Sequence, residues 1–168
     1  MRCTLLLLSL FGILALAHAT SYFFTLEQKV AASKAIVRVS VTEVLKTYPT
    51  TLKARVLETL KGPADLTEIE FQYHAEESAS RKLPEMIGQE YYVFLHQPSV
   101  PGAPENQWWV FQGHLGIRPI ADLYHERHLS PNREFVDETY SRSNFVAAIR
   151  AFAEAGLTNR SSQQPRRL

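Results

Sequence analysis

Six histidines are the first residues of this 168-residue chain that invite a chemical reading, and two of them stand three apart in His125-Glu126-Arg127-His128. On a helix that spacing would turn both imidazoles to one side, where His114 or Asp122 could complete a metal site of nitrogen and oxygen ligands. The run is not the His-Glu-x-x-His motif of zinc peptidases, because its second histidine comes one residue early. His74 and His96 close strand-like segments and read as strand-end surface residues. Serine, histidine and aspartate are all present, but no Gly-x-Ser-x-Gly stretch exists to hold a serine exposed and activated. The expected protein is therefore not an enzyme and needs no cofactor. A small metal-dependent or hydrolytic enzyme using His114, Asp122, His125 and His128 is the alternative, set against the plainer reading of these histidines as solvated loop residues.

The beginning of the chain predicts an address. Arg2 supplies a positive n-region, Leu5 to Leu16 an apolar h-region, and Ala17-His18-Ala19 the small-x-small form that signal peptidases cut. Residues 1–19 are thus expected to be a signal peptide, and the product to be secreted or periplasmic. The apolar run falls short of the roughly 18 to 20 residues of a membrane span, so no transmembrane helix is expected to be retained. The only cysteine, Cys3, would leave with the leader. Disulfides, a catalytic thiol and thiolate metal ligands are then excluded together. The chain carries 18 Lys plus Arg and 17 Asp plus Glu, and without Arg2 the two balance at 17 each. About 149 residues remain, which suits one domain able to support its own core without cross-links.

The elements that must position any site are written in two periods. Thr25-Leu26-Glu27-Gln28 has the form of a capping box, and Phe23, Leu26, Val30 and Ser33 recur on one face, predicting a helix over about 26–33. Ala35 to Val44 then alternates, with Val37, Val39 and Val41 opposite Arg38, Ser40 and Thr42. Leu52, Ala54, Val56 and Leu60 continue the pattern to a Lys61-Gly62-Pro63 turn, and Ile69, Phe71 and Tyr73 mark a third strand. Gly88 opens the densest segment, Tyr91 to Leu95, which reads as a buried central strand. Trp108 to Phe111 is expected to pair with it as a hairpin, and Ile117 to Ile120 to add a short edge strand, where proline is tolerated. The residues from His74 to Met86 read as a loop or a helical turn, and Ala121 to Tyr140 as an irregular wrap. Ser143 is expected to cap a last helix with Phe145, Ala148, Ile149 and Phe152 as its stripe and Gly156 at its C′ position. The domain is placed at 20–158, with a disordered polar tail over 159–168.

Five to six short strands with an amphipathic helix at each end predict a mostly β fold with flanking helices, a small closed barrel. Ala35 to Val44, the Val-Leu-Glu-Thr-Leu-Lys-Gly-Pro ending at Pro63, Gly88 to Leu95 and Gly113 to Ile120 together resemble the netrin-module and tissue-inhibitor-of-metalloproteinase-like secreted domains. The resemblance covers about residues 25–120 and implies an OB-like barrel with N- and C-terminal helices. Its metalloproteinase inhibitors chelate zinc through an N-terminal cysteine; this chain, expected to begin near Thr20, has no residue to carry that chemistry.

An OB-like barrel raises the possibility of nucleic acid, since Tyr91, Tyr92, Trp108, Trp109 and Phe111 could stack bases. A balanced charge and a secretory address argue against it, so no nucleic acid partner is expected. What remains is a binding module for a protein or envelope component. Its partner-binding residues are expected in the Gln97 to Asn106 connection, at Pro98, Pro101 and Pro104, and beside it at Trp108 and Trp109. Prolines lower the entropy lost when a loop is ordered on a partner, and tryptophan is enriched at binding hot spots. Adjacent residues of a strand point to opposite faces, so one of the two tryptophans is expected to be core.

Overall fold

The computed structural model of the chain describes residues 24–47, 49–73, 83–97, 107–111, 116–130 and 132–162, the last helix with side chains as far as residue 156. Helix α1 (Leu26–Ala32) is opened by the capping box read from the sequence. The Gln28 amide donates to Thr25 Oγ1 at 3.2 Å, and the Thr25 amide donates to Gln28 Oε1 at 3.0 Å. Leu26 and Val30 of its stripe are buried, with Lys29 between them; Phe23 lies outside the described residues.

Strands β1 (Ala35–Thr47), β2 (Thr50–Lys61), β3 (Glu68–Tyr73), β4 (Glu90–His96) and β5 (Trp108–Val110) pair in the order β1-β2-β3-β5-β4, and β4 returns to β1. That return closes a five-stranded, OB-like barrel. All its pairings are antiparallel except β3 with β5. Strand β6 (Ile117–Pro119) is the extra strand, lying end to end with β5 along the same edge of β4. The hairpin of β4 with β5 and the edge strand are as the sequence predicts. Leu83–Met86 forms a 3-10 turn, and the rest of the preceding polar run lies outside the described residues.

Two cores explain the two kinds of apolar pattern. Val37, Val39, Leu52, Phe71, Val93 and Leu95 fill the barrel. Leu26, Val30, Tyr92, Phe94, Phe145 and Ile149 fill a layer between the barrel wall and the elements packed on it. Strand β4 therefore buries both faces, which is why Tyr91 to Leu95 reads as an unbroken apolar run. The second layer also uses a register shift: Val39 faces Val56 while Arg38 faces Glu58, so Leu57 is an extra residue in β2. Beyond this bulge the face changes, and Leu60 joins the outer layer although its spacing from Val56 would place it in the barrel. Gly62 follows with φ +104, and a Cβ there would lie 2.9 Å from that of Ala35, so only glycine fits this turn.

Several expectations are corrected. Strand β1 runs three residues beyond Val44, to Thr47, and β2 starts at Thr50, two residues before Leu52. Ala121 to Tyr140 is no irregular wrap: β7 (Leu123–Leu129) and β8 (Phe135–Ser141) form a regular antiparallel hairpin. Its inward face carries Glu126 and His128 while Leu123 and Phe135 stand exposed, so polarity does not follow the faces and the period is concealed. Helix α2 (Arg142–Ser162) starts one residue before Ser143, and the Asn144 amide donates to Ser141 Oγ at 3.3 Å, so Ser141 takes the capping role. Gly156 stands inside this helix and does not end it. The helix continues to Ser162, into the segment expected to be disordered; residues 163–168 lie outside the described ones.

Candidate functional site

The alternation of β5 divides the two tryptophans. Trp108 turns inward and is buried in the barrel, whereas Trp109 is half-buried on the outer wall. Opposite Trp109 in the register are His96 on β4 and Gln72 on β3. The His96 ring meets Trp109 edge-to-face at 6.2 Å and Phe111 at 6.2 Å, and Phe24, just before α1, meets Phe111 at 5.7 Å. Trp109, His96, Phe111 and Phe24 thus make a partly covered aromatic patch where the Gln97 to Asn106 connection leaves β4 and returns to β5. Pro98, Pro101 and Pro104 lie outside the described residues. Phe24 and His96 had no place in the site read from sequence; only the pairing of β4 with β5 and the approach of the N-terminal segment bring them there.

Burial holds the His96 imidazole below its ordinary value of 6.5, against a smaller raising effect of its hydrogen bond with the Trp109 backbone. Above that value the ring is neutral in folded and unfolded chains alike. As pH falls through it the unfolded chain takes up the proton first, so His96 should subtract stability on acidification. We expect urea midpoints to fall more steeply between about pH 7.5 and 5 for the wild type than for His96→Gln. Equal slopes would show that the ring is not desolvated in the patch.

The histidine cluster is separated by the strand that contains it. On β7, residues three apart point to opposite faces, so His125 is exposed and His128 is buried, not side by side as on a helix. His125 Nδ1 lies 3.1 Å from Thr139 Oγ1 across the hairpin. Asp122 is fully exposed and bound to Arg142 at 3.1 Å. His114 lies outside the described residues, and among those described no group of three or more ligating side chains converges.

The charge arrangement that sequence reading missed is on the inward face of β7. Glu126 is buried, bound by Lys29 Nζ of α1 through one carboxylate oxygen and by Arg118 Nη2 of β6 through the other, the latter at 2.8 Å. Burial lowers the pKa of Lys29, opposed by the charge and hydrogen bond of Glu126. The three residues come from three elements and fasten the hairpin and α1 to the barrel. Tyr124-x-Glu126-x-His128, with period 2, was the signal that could have found it. Its chemistry is structural: both carboxylate oxygens are engaged and the group is shut off from solvent.

A second surface feature lies at the seam between β3 and β5. A groove of about 470 Å³ runs along β3, lined by Thr51, Leu66, Glu68 to Gln72, Gln107 and Trp108. Among the described residues no helix is long and apolar enough to cross a membrane. No known family model matches this chain, and no curated protein matches it significantly.

Proposed function

We propose that the chain is a secreted or periplasmic binding module of the netrin-module and tissue-inhibitor-like kind, one that contacts a protein or envelope component without catalysing a reaction. The observation that supports this reading best is Trp109. A large aromatic stands half-covered on the outer wall of a rigid barrel, backed by His96 and Phe111 and next to a connection rich in proline. Rigid aromatics on a preformed surface lose little entropy on binding and supply much of the contact energy at interfaces. The neutral His96 ring adds an apolar neighbour to the patch without a charge to desolvate.

The test is capture of partners from envelope extract by tagged full-length protein, followed by affinity measurement with the identified partner. Trp109→Ala should weaken binding by about 2 kcal/mol or more while leaving the thermal transition intact. Binding that vanished with a chelator and with His125→Ala, and ignored Trp109→Ala, would replace this reading with the metal-dependent one.

A further inference from the structure

We infer that the edge of β3 over Glu68 to Glu70, which no described strand covers, receives an extended segment of a partner protein as an added strand, with Lys or Arg at alternate positions on its outward face. This rests on the reading of the chain as a protein-binding module and names the kind of segment it takes. Strand β3 pairs with β2 along its whole length, Glu68 to Tyr73 against Arg55 to Thr50, without a register shift. On its other side it pairs with β5 only at Phe71 and Gln72. Among the described residues no strand partners Glu68, Ile69 or Glu70 on that side. Exposed edges are ordinarily blunted by proline, a bulge or charged side chains; Glu68 to Tyr73 has neither proline nor bulge, and its charges are the two carboxylates of Glu68 and Glu70. Such an edge offers amide and carbonyl groups to an incoming strand.

The groove beside this edge limits what can enter it. Ile69, Phe71 and Trp108 are buried behind it in the barrel, its open surface is more polar than apolar, and among the described residues its charged lining is Glu68 and Glu70. Both carboxylates point outward. Lys53, the cation at 2.9 Å from Glu68, stands on β2, on the side of β3 away from the open edge, and also faces Glu70 in the register. A strand added to β3 would set its outward side chains directly beside the two carboxylates, where opposite charges attract and like charges repel.

The test uses the full-length protein and short synthetic peptides that alternate lysine with threonine or valine. Those amides of Glu68 to Glu70 that point away from β2 should exchange rapidly in the free protein and become protected when the lysine peptide is added. Replacing the lysines by glutamate, or N-methylating alternate peptide amides, should weaken binding by about tenfold or more, as should Glu68→Lys with Glu70→Lys in the protein. Equal binding of the lysine and glutamate peptides, or indifference to N-methylation, would overturn the proposal. So would slow exchange of these amides without peptide, which would mean that the chain itself already covers the edge. The N-methylated peptide keeps the test decisive should the double variant not fold. Partner capture that depends on Trp109 but ignores the charges at Glu68 and Glu70 would overturn the edge proposal alone and leave the binding-module reading standing.

Discussion

Ending the chain before Ser143 is expected to abolish the cooperative unfolding transition, whereas ending it after Asn159 should leave that transition almost unchanged. Phe145 and Ile149 of α2 are fully buried, and Ala153 nearly so. Phe145 stacks on Tyr124 at 4.2 Å and meets Tyr92, Phe94 and Tyr140 within 6.5 Å, so it joins the barrel wall to the β7–β8 hairpin. Burying a large apolar side chain contributes about 1.5–3 kcal/mol, so the two large residues alone approach the lower end of the roughly 5–15 kcal/mol that holds a domain together. Removing the helix also exposes Tyr92 and Phe94, whose barrel strand would then present apolar side chains to water. Thermal unfolding followed by circular dichroism would decide the matter: coincident melting curves for the full chain and the shorter truncation would show that α2 is an appendage.

Glu126→Ala should cost about 3–5 kcal/mol of folding stability, the second largest effect expected of this chain. It leaves the buried Lys29 ammonium without its counter-charge, in a place where burial already opposes the charged form. Arg118, a quarter exposed, can recover some solvation; Lys29 cannot. The pair need not be stabilising in itself, since two charges lose much hydration when buried together. Lys29→Met combined with Glu126→Leu should accordingly restore most of what Glu126→Ala loses. Urea denaturation of the two variants against the wild type measures this. A loss below about 1 kcal/mol for Glu126→Ala would place the three charges among ordinary surface ion pairs.

The same carboxylate shows where sequence reading ended. Glu126 lies in His125-Glu126-Arg127-His128, which by residue type alone suggests metal ligation, and the helical geometry assumed for that suggestion is what failed. A charged residue is buried only when partners from other elements neutralise it, and no local pattern announces Lys29 and Arg118, 97 and 8 residues away from it. The hairpin holding Glu126 was obscured for the same reason, because the inward face of β7 carries Glu126 and His128 beside a single apolar residue, Tyr124.

What the chain determined by itself was whatever rests on neighbours in sequence. The capping box at Thr25 and Gln28 closes within one turn. The alternation of Val37, Val39 and Val41 chooses the inner face of β1, and the apolar run of β4 requires cover on both sides, so a barrel flanked by helices was legible beforehand. Tertiary structure alone decided what depends on register and closure. The bulge at Leu57 sends Leu60 to the outer layer, because one unpaired residue reverses the faces of Glu58 to Leu60, and a second shift follows at Leu60 itself. Ser141 displaces Ser143 as the cap because the hairpin delivers the chain to α2 two residues early. Trp108 turns inward and Trp109 outward because β5 meets β3 and β4 in one register, and a shift of a single residue would have exchanged the core tryptophan for the one that faces solvent.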